Sequence, residues 1–418
     1  MTATARFRFR SRIPMRGGAL LAAVLVMLFA ASAALVTAGQ SAHRAEWLAI
    51  ARDAALLAEA KAALLGYAVR YPEAHPDKEW GYLPCPDRDN DGSAQSPCHA
   101  RNHGAFGRLP WRTLGMSMAR DGHGQCLWYA VAGSIKNEPE AMTLNWDSPG
   151  QFKIVDSAGQ TLAGAGYSVA AVILAPGAAL PGQTRPPATP SRCPGSDSAA
   201  ADLPAFLDLP YALDFAGGIA IVHGLPGSDV NDLVAWLTID EIFAVLRRRA
   251  DFSARLDTAL DFAAAALHAR LDDTAFLAAH TDSVHGHRAH GRLPDAAEFA
   301  MTKEQGTLHN NWHDQMRFVV CLDGSACLTA ALADSALSPA VVVTETCRAL
   351  ILFGGERQRG GAAQQRRDAS ERADAAQYLE GANLTSFTTG AGHYSGYRHY
   401  AITDPRQPAS EDLIRCLP

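Results

Sequence analysis

The chain lacks the short motifs that accompany several kinds of catalysis. It contains no GxSxG, HExxH or GxxxxGK(S/T) segment, so it offers no nucleophile elbow, no zinc-protease helix and no phosphate-binding loop. It also contains no CxxC pair, the cysteine spacing on which structural zinc sites are built. These absences favour a non-catalytic protein over an enzyme of any of these classes.

The chain also lacks an excess of positive charge. Its 418 residues include 37 Lys and Arg against 43 Asp and Glu, a formal net charge of −6. Arginines are concentrated at the start of the chain (Arg6, Arg8, Arg10, Arg12, Arg16), so the remainder carries about −11. This acidity predicts no nucleic-acid partner and is compatible with divalent cations. With 48% hydrophobic and 19% charged residues, the chain is typical of a globular protein with room for two domains.

Charge is missing altogether from residues 19–36, directly after the arginines. An apolar run of this length predicts a single-pass helix, and the arginines before it predict a cytoplasmic N-terminus. On this hypothesis the protein lies in the bacterial inner membrane with a periplasmic head. Two alternatives remain open: a secretory signal cut near the small residues Ala31, Ala33 and Ala38, or a simple membrane anchor.

Proline is missing from residues 19–71, and Gly39 interrupts this otherwise helix-compatible stretch. Beyond the apolar run, apolar residues recur at helical spacing and define one face: Trp47, Ile50, Ala54, Leu57, Leu64 and Ala68. The pattern predicts one continuous helix, roughly 80 Å long at about 1.5 Å per residue.

The start of this helix resembles the type IV pilin and type II secretion pseudopilin superfamily. There, a short basic leader ends in glycine and a hydrophobic helix follows, as RGGALL does at residues 16–21. The resemblance implies that prepilin peptidase cuts after Gly17 and that Gly18 is the first mature residue. Ala22 stands at the fifth mature position, where major subunits carry glutamate, and this is similar to minor subunits.

The resemblance implies a non-catalytic minor pilin or pseudopilin-like subunit of a type IV pilus or type II secretion-like assembly. The implied partners are other pilin or pseudopilin subunits, prepilin peptidase and the inner membrane. The alternative is a periplasmic binding protein or enzyme that begins with a signal peptide or simple anchor.

The eight cysteines form an even set, all beyond the apolar run: Cys85, Cys98, Cys126, Cys193, Cys321, Cys327, Cys347 and Cys416. In an exported protein such a set predicts disulfides. Short separations favour two bridges, Cys85 with Cys98 and Cys321 with Cys327. Elimination then leaves Cys126 with Cys193 and Cys347 with Cys416, although sequence alone leaves other connectivities open.

A repeated order of elements predicts that the head is built twice. A helical stretch, the segment GRLP and two β-like runs follow one another in two places, with GRLP at 107–110 and 291–294. The spacing of Thr238 and Glu241 is that of a capping box and predicts the start of the second helix.

The predicted fold class is α+β, a long membrane-spanning helix followed by two pilin-like units of helix plus antiparallel sheet, with a tandem duplication as their source. The predicted segments are a leader at 1–17, the long helix at 18–71, a first β-rich head unit at 72–235, a second long helix at 236–275 and a second β-rich head unit at 276–418.

The segment DRDNDG offers a candidate cation site. Asp87, Asp89 and Asp91 alternate before Gly92, as at the start of a calcium loop, where such carboxylates converge on one hard cation. An EF-hand would then place glutamate where this chain has Cys98. Calcium is therefore the candidate cofactor, and the alternative is a turn tied by Cys85 and Cys98 with solvated carboxylates.

Two further clusters have a structural and a functional interpretation. The histidines of HTDSVHGHRAH (His280, His285, His287, His290) could bind zinc or nickel, but their irregular spacing favours an exposed polar loop. Trp111 directly follows the first GRLP segment, and Trp312 stands in NNWH at 310–313. We expect both to fill the core between helix and sheet rather than to bind a ligand.

Overall fold

A computed structural model describes residues 16–76, 78–165, 168–187, 189–225, 229–357, 365, 367, 370–401 and 412–418. Within the first helix it describes side chains at 27–29, 32, 44 and from 46 onward. Most of the predicted leader, residues 1–15, therefore lies outside the described residues. Contacts divide the chain into an N-terminal unit that ends at Ala54 and a compact unit, Ala55–Pro418, and each is described by itself.

The described helices are α1 (Arg16–Ala74), α2 (Ala199–Phe206), α3 (Ile239–Leu246), α4 (Phe252–His268), α5 (Thr274–His280), α6 (Lys303–Trp312) and α7 (Gly381–Thr389). The strands of the first half are β1 (Gly104–Arg108), β2 (Trp128–Val131), β3 (Phe152–Val155), β4 (Thr161–Ala163), β5 (Val169–Ala175), β6 (Asp214–Phe215), β7 (Ile219–Val222) and β8 (Leu233–Thr238). Those of the second half are β9 (Thr281–His285), β10 (Arg288–Arg292), β11 (Met316–Cys321), β12 (Leu328–Ser335), β13 (Ser338–Cys347), β14 (Ala349–Phe353), β15 (His393–His399) and β16 (Leu413–Leu417).

The prediction of a membrane-spanning helix is wrong. Among the residues that the structure describes, no helix is long and apolar enough to cross a membrane. The uncharged run at 19–36 is at the lower limit of the length that a span requires, and α1 beyond it carries Arg44, Glu46 and Arg52. The predicted inner-membrane location with a periplasmic head depended on that span, so it is wrong as well.

Within the described residues each of the two sheets has eight strands, and both are mixed. In the first sheet the order is β4-β3-β5-β2-β1-β6, with β7 beside β3 and β8 beside β5; in the second it is β13-β12-β15-β16-β14-β11-β10-β9. The predicted purely antiparallel units are wrong, because β7 runs parallel to β3 and β15 runs parallel to β12. In both cases a helix, α2 or α7, lies in the connection that lets the chain return in the same direction.

The same connectivity occurs in both sheets. Strands β1, β2, β5 and β8 are successive antiparallel neighbours, and so are β10, β11, β14 and β16. Each set has a hairpin, β3-β4 or β12-β13, whose first strand pairs with the parallel strand β7 or β15. Both GRLP segments lie at matching places, where β1 and β10 end.

The last five turns of α1 contribute one face to the core of the compact unit. Its buried residues recur every three or four positions: Leu57, Ala60, Leu64, Ala68 and Tyr71. The predicted apolar face is therefore found from Leu57 onward, whereas Trp47 and Ala54 are exposed.

A capping box starts α3, as predicted. The hydroxyl of Thr238 accepts the N–H of Glu241 at 3.2 Å, and the carboxylate of Glu241 accepts the N–H of Thr238 at 2.9 Å. The helical stretch that follows is not continuous, because the chain turns between Leu246 and Phe252 and again before Thr274.

An aromatic cluster fills the centre of the compact unit. Trp146 and Trp312 meet with ring centroids 4.6 Å apart, and both are almost fully buried. Rings from α3, α4, β14 and a loop surround them: Phe243, Phe252, Phe353 and Tyr400. The core role predicted for Trp312 is confirmed, whereas Trp111 is only half-buried and packs beside Gly92.

The prediction of disulfides is confirmed. Four bridges are formed, and among the residues described every cysteine is paired: Cys85–Cys98, Cys126–Cys193, Cys321–Cys327 and Cys347–Cys416. Such bridges form in oxidising compartments.

Candidate functional site

The three aspartates of the DRDNDG segment come together in one loop, here called the Asp loop (residues 87–92). Ligand oxygens of Asp87, Asp89 and Asp91 lie within 4.8 Å of one another. Within the described part of the chain, this is the one such group of three or more histidine, cysteine or carboxylate side chains. Asp87 is buried, and the other two carboxylates are exposed.

The start of the Asp loop is fixed to the first sheet. The backbone of Asp87 exchanges two hydrogen bonds with that of Arg108 at the end of β1, with N···O distances of 2.9 and 2.8 Å. The guanidinium of Arg108 is buried, pairs with Asp202 and lies 5.0 Å from the centroid of the Trp128 ring. The Cys85–Cys98 bridge closes the segment around the loop. The position of the carboxylates is therefore set by the core.

The loop wraps around the carboxylate of Asp87. Its two oxygens accept the backbone N–H groups of Asn90 at 2.7 Å and Gly92 at 2.8 Å. Gly92 has φ of +88°, and a Cβ there would lie 2.4 Å from the indole of Trp111. Only glycine combines a positive φ with the absence of a Cβ. Trp111 therefore forms a wall of the loop rather than part of the core.

Burial raises the pKa of Asp87 to about 6, although the N–H groups of Gly92 and Asn90 and the charge of Arg108 oppose the shift. The neighbouring charge of Asp89 adds to it. The pKa of Asp91 is lowered, chiefly by the N–H of Ser93. The loop thus concentrates negative charge at neutral pH, which a cation would relieve.

Gln95 is a member of the site that the sequence did not suggest. Its amide N–H groups donate to the carboxylates of Asp89 at 2.7 Å and Asp91 at 3.4 Å, and its carbonyl accepts the N–H of Arg88. The three carboxylates offer oxygen ligands, the type that calcium prefers, whereas Gln95 presents its amide N–H groups to them. The residues therefore fit a hard cation, with Gln95 bridging the same carboxylates through hydrogen bonds in this structure.

The histidines of the predicted polar loop are not brought together. His280 ends α5 and is 3.8 Å from Glu298, whereas the other three lie on the hairpin of β9 and β10, where His287 is 4.0 Å from Asp323. Only the rings of His285 and His290 are in contact, with centroids 5.1 Å apart. His290 is fully buried rather than exposed, and burial lowers its pKa to about 4.

A groove of about 370 Å³ lies between the loop at 140–142 and the start of α6. Its charged and polar lining is mixed in sign and includes Arg101, Glu140, Lys303 and Asn310. Nothing in the sequence patterns indicated this groove, since its walls are far apart along the chain.

Comparison with known proteins gives no match to a protein-family model, a curated protein or a solved structure. The function of the chain is therefore inferred from its own residues.

Calcium should raise the melting temperature of the protein if it binds the Asp loop. The stabilisation follows RT ln(1 + [L]/Kd), about 2.7 kcal/mol at a hundredfold excess over Kd. Thermal melts with calcium and with a chelator measure it. The calcium shift should disappear in the Asp89→Ala, Asp91→Ala double variant. Identical midpoints, or a shift that survives both substitutions, would identify the loop as an ordinary disulfide-tied turn.

The pH dependence of protein stability gives a second test of the same site. Without a cation, the raised pKa of Asp87 contributes stability at low pH that is lost as the pH rises from 3.8 to about 6. A cation binds the ionised form, so the calcium shift should grow as the pH rises through about 6. The two trends have opposite signs, and melts across this range with and without calcium separate them.

Proposed function

We propose that the protein is a non-catalytic subunit of a pilin-like assembly, similar to the minor subunits of type IV pili or type II secretion pseudopili. The observation that carries the proposal is the division of α1 into two kinds of surface. From Leu57 onward its apolar face is buried in the compact unit. Before Ala54 its large apolar side chains at 27–29, 47 and 48 are exposed, and Ala49 and Ile50 are half-buried.

The exposed side chains are large. Five of them leave 62–80% of their surface accessible: Met27, Leu28, Phe29, Trp47 and Leu48. A helix of 59 residues is far longer than the usual 11 or 12, and most helical stability comes from packing an apolar face. Partners that cover these side chains would stabilise the N-terminal part of α1. Helices of other pilin-like subunits are partners of the required chemistry.

The buried part of α1 supplies the attachment that such a subunit needs. Leu64 and Ala68 are fully buried, and Lys61 forms an ion pair with Glu241 at the start of α3 at 2.5 Å. A load applied to the helix would therefore be transmitted to the core of the compact unit. This supports a mechanical role, in which one helix serves both the head and the assembly.

Prepilin peptidase is the processing enzyme that the proposal requires. The described part of α1 includes Gly17 and Gly18, so the candidate cut lies within this helix. Ala22 in place of glutamate favours a minor subunit over one that builds a long filament. An Asp loop filled by calcium would have a structural role in this account, because it braces the end of β1.

Replacing Gly17 with glutamate should leave the protein uncut. Prepilin leaders end in glycine, and a long charged side chain at that position should not be accepted by the peptidase. The measurement is the intact mass of the protein after co-expression with a prepilin peptidase, where the wild type should lose residues 1–17.

Gly39→Glu is the matched control, since it makes the same change at another glycine of α1. It should be processed like the wild type. If Gly17→Glu is trimmed to the wild-type product, the proposal loses its main support. A product that begins near Gly39 would favour a secretory signal and, with it, an exported binding protein or enzyme.

A further inference from the structure

Strand β13 (Ser338–Cys347) forms one edge of the second sheet and pairs with β12 alone among the described strands. Its three consecutive valines are exposed, Val341 by 70%, Val342 by 57% and Val343 by 47%. Successive side chains point to opposite faces of a sheet, so this strand exposes apolar groups on both faces. Its outward N–H and C=O groups can accept another strand.

The other described strands with a single neighbour do not share these properties. Strand β4 has three residues and β6 has two, and β9 carries Asp282 and His285. Strand β7 has one exposed residue, and β8 has none. Proline and β-bulges hinder the pairing of an edge strand with another strand. In β13 both lie at one end, where Pro339 follows the start of the strand and the register shifts between Ala333 and Ser335 of β12. The strand from Ala340 onward is unprotected.

The charge of β13 is already neutralised within the molecule. Glu345 is the one charged residue of the strand, and its carboxylate forms an ion pair with Arg398 of β15. The edge is therefore neutral, extended and rich in β-branched residues. An incoming strand of like composition would meet no uncompensated charge.

We propose that β13 of one molecule pairs antiparallel with β13 of a second copy, with the two-fold axis at Val342. In this register Val341 lies opposite Val343 of the second copy, and Val342 lies opposite its own equivalent. Each valine thus meets a valine on the same face of the combined sheet. Glu345 lies opposite Pro339, so like charges do not face each other.

The sequence of β13 is what favours a second copy over another strand. The three valines match themselves about the central one, and a self-complementary patch is the requirement for a two-fold dimer. The dimer goes beyond the proposed function, because it uses the second sheet and not α1. A two-fold contact also closes on itself, so it joins two molecules and adds no filament contact.

The test uses the full chain with its four disulfides. Sedimentation equilibrium should show a monomer–dimer equilibrium, and Val342→Lys should raise the dimer Kd about tenfold or more, because two like charges then face each other at the axis. Leu162→Lys is the matched control, since it places the same charge on the exposed edge strand β4, where Leu162 is 47% accessible. That control should leave the dimer Kd unchanged.

Hydrogen exchange locates the contact and separates it from association through α1. Backbone amides of residues 340–346 should become more protected as the protein concentration rises, while those of β4 should not. A chain that stays monomeric at its highest soluble concentration would overturn the proposal. So would a dimer that Val342→Lys leaves intact, or one whose only concentration-dependent protection lies in α1. Since Val342 is largely exposed, a wild-type melting curve for Val342→Lys confirms that its fold is unchanged.

Discussion

Replacing Trp312 with alanine should lower the free energy of unfolding by about 3–5 kcal/mol, the usual cost of removing a buried aromatic side chain. Trp312 is 6% exposed and meets the rings of Trp146, Phe243, Phe252 and Phe353, with centroids 4.6–6.3 Å apart. These rings come from two helices, a strand and a loop, so no single element can close the cavity that the substitution would leave. Urea unfolding followed by circular dichroism measures the loss.

Trp111→Ala is the control for this experiment. Trp111 is half-buried and contacts the Asp loop instead of the aromatic cluster, so its loss should cost much less. It should, however, weaken the calcium shift, because the indole is the wall against which Gly92 packs. Equal losses of stability for the two variants would contradict the assignment of Trp312 to the core.

Replacing Cys126 and Cys193 with serine should cost about 4 kcal/mol, because the bridge closes a loop with a sequence separation of 67 residues. The comparison is the Cys321→Ser, Cys327→Ser variant, where the separation of 6 residues predicts about 2 kcal/mol on the same scale. Both variants replace two cysteines with serine. The difference between their losses in free energy of unfolding therefore measures the effect of loop length. Denaturant unfolding under non-reducing conditions measures both variants.

The Cys126–Cys193 bridge also braces the Asp loop. The side-chain amide of Asn90 donates to the backbone carbonyl of Cys193 at 3.1 Å and to that of Ser196 at 3.1 Å. We therefore expect the serine variant to lose part of its calcium shift as well. Losses of equal size for the two serine variants would contradict the loop-closure account.

Local patterns in the sequence predicted local structure well. The capping box of Thr238 and Glu241 depends on two residues three apart, and it formed as expected. The convergence of Asp87, Asp89 and Asp91 also follows from their alternation. In each case the partners are close along the chain, so their spacing contains the information.

Such patterns did not predict contacts between residues that are far apart along the chain. The parallel pairing of β7 and β15 depends on where α2 and α7 return the chain. Arg108 and the carbonyl of Cys193 reach the Asp loop from 21 and 106 positions beyond its start, and no spacing rule connects them. His290 was expected in an exposed loop, but β10 places it between β9 and β11, where it is buried.

The N-terminal segment shows how one pattern can suit several structures. A basic stretch followed by apolar residues is common to membrane anchors, secretory signals and prepilin leaders. The described residues give no membrane-crossing helix. The choice between a secretory signal and a prepilin leader depends on where a peptidase cuts.

The most direct test of the proposed function is the N-terminal residue of the mature protein, read by mass spectrometry of the N-terminal peptide from cells that contain a prepilin peptidase. The pilin-like account predicts a chain that begins at Gly18. A chain that begins near Gly39, or one that retains Met1, would contradict it.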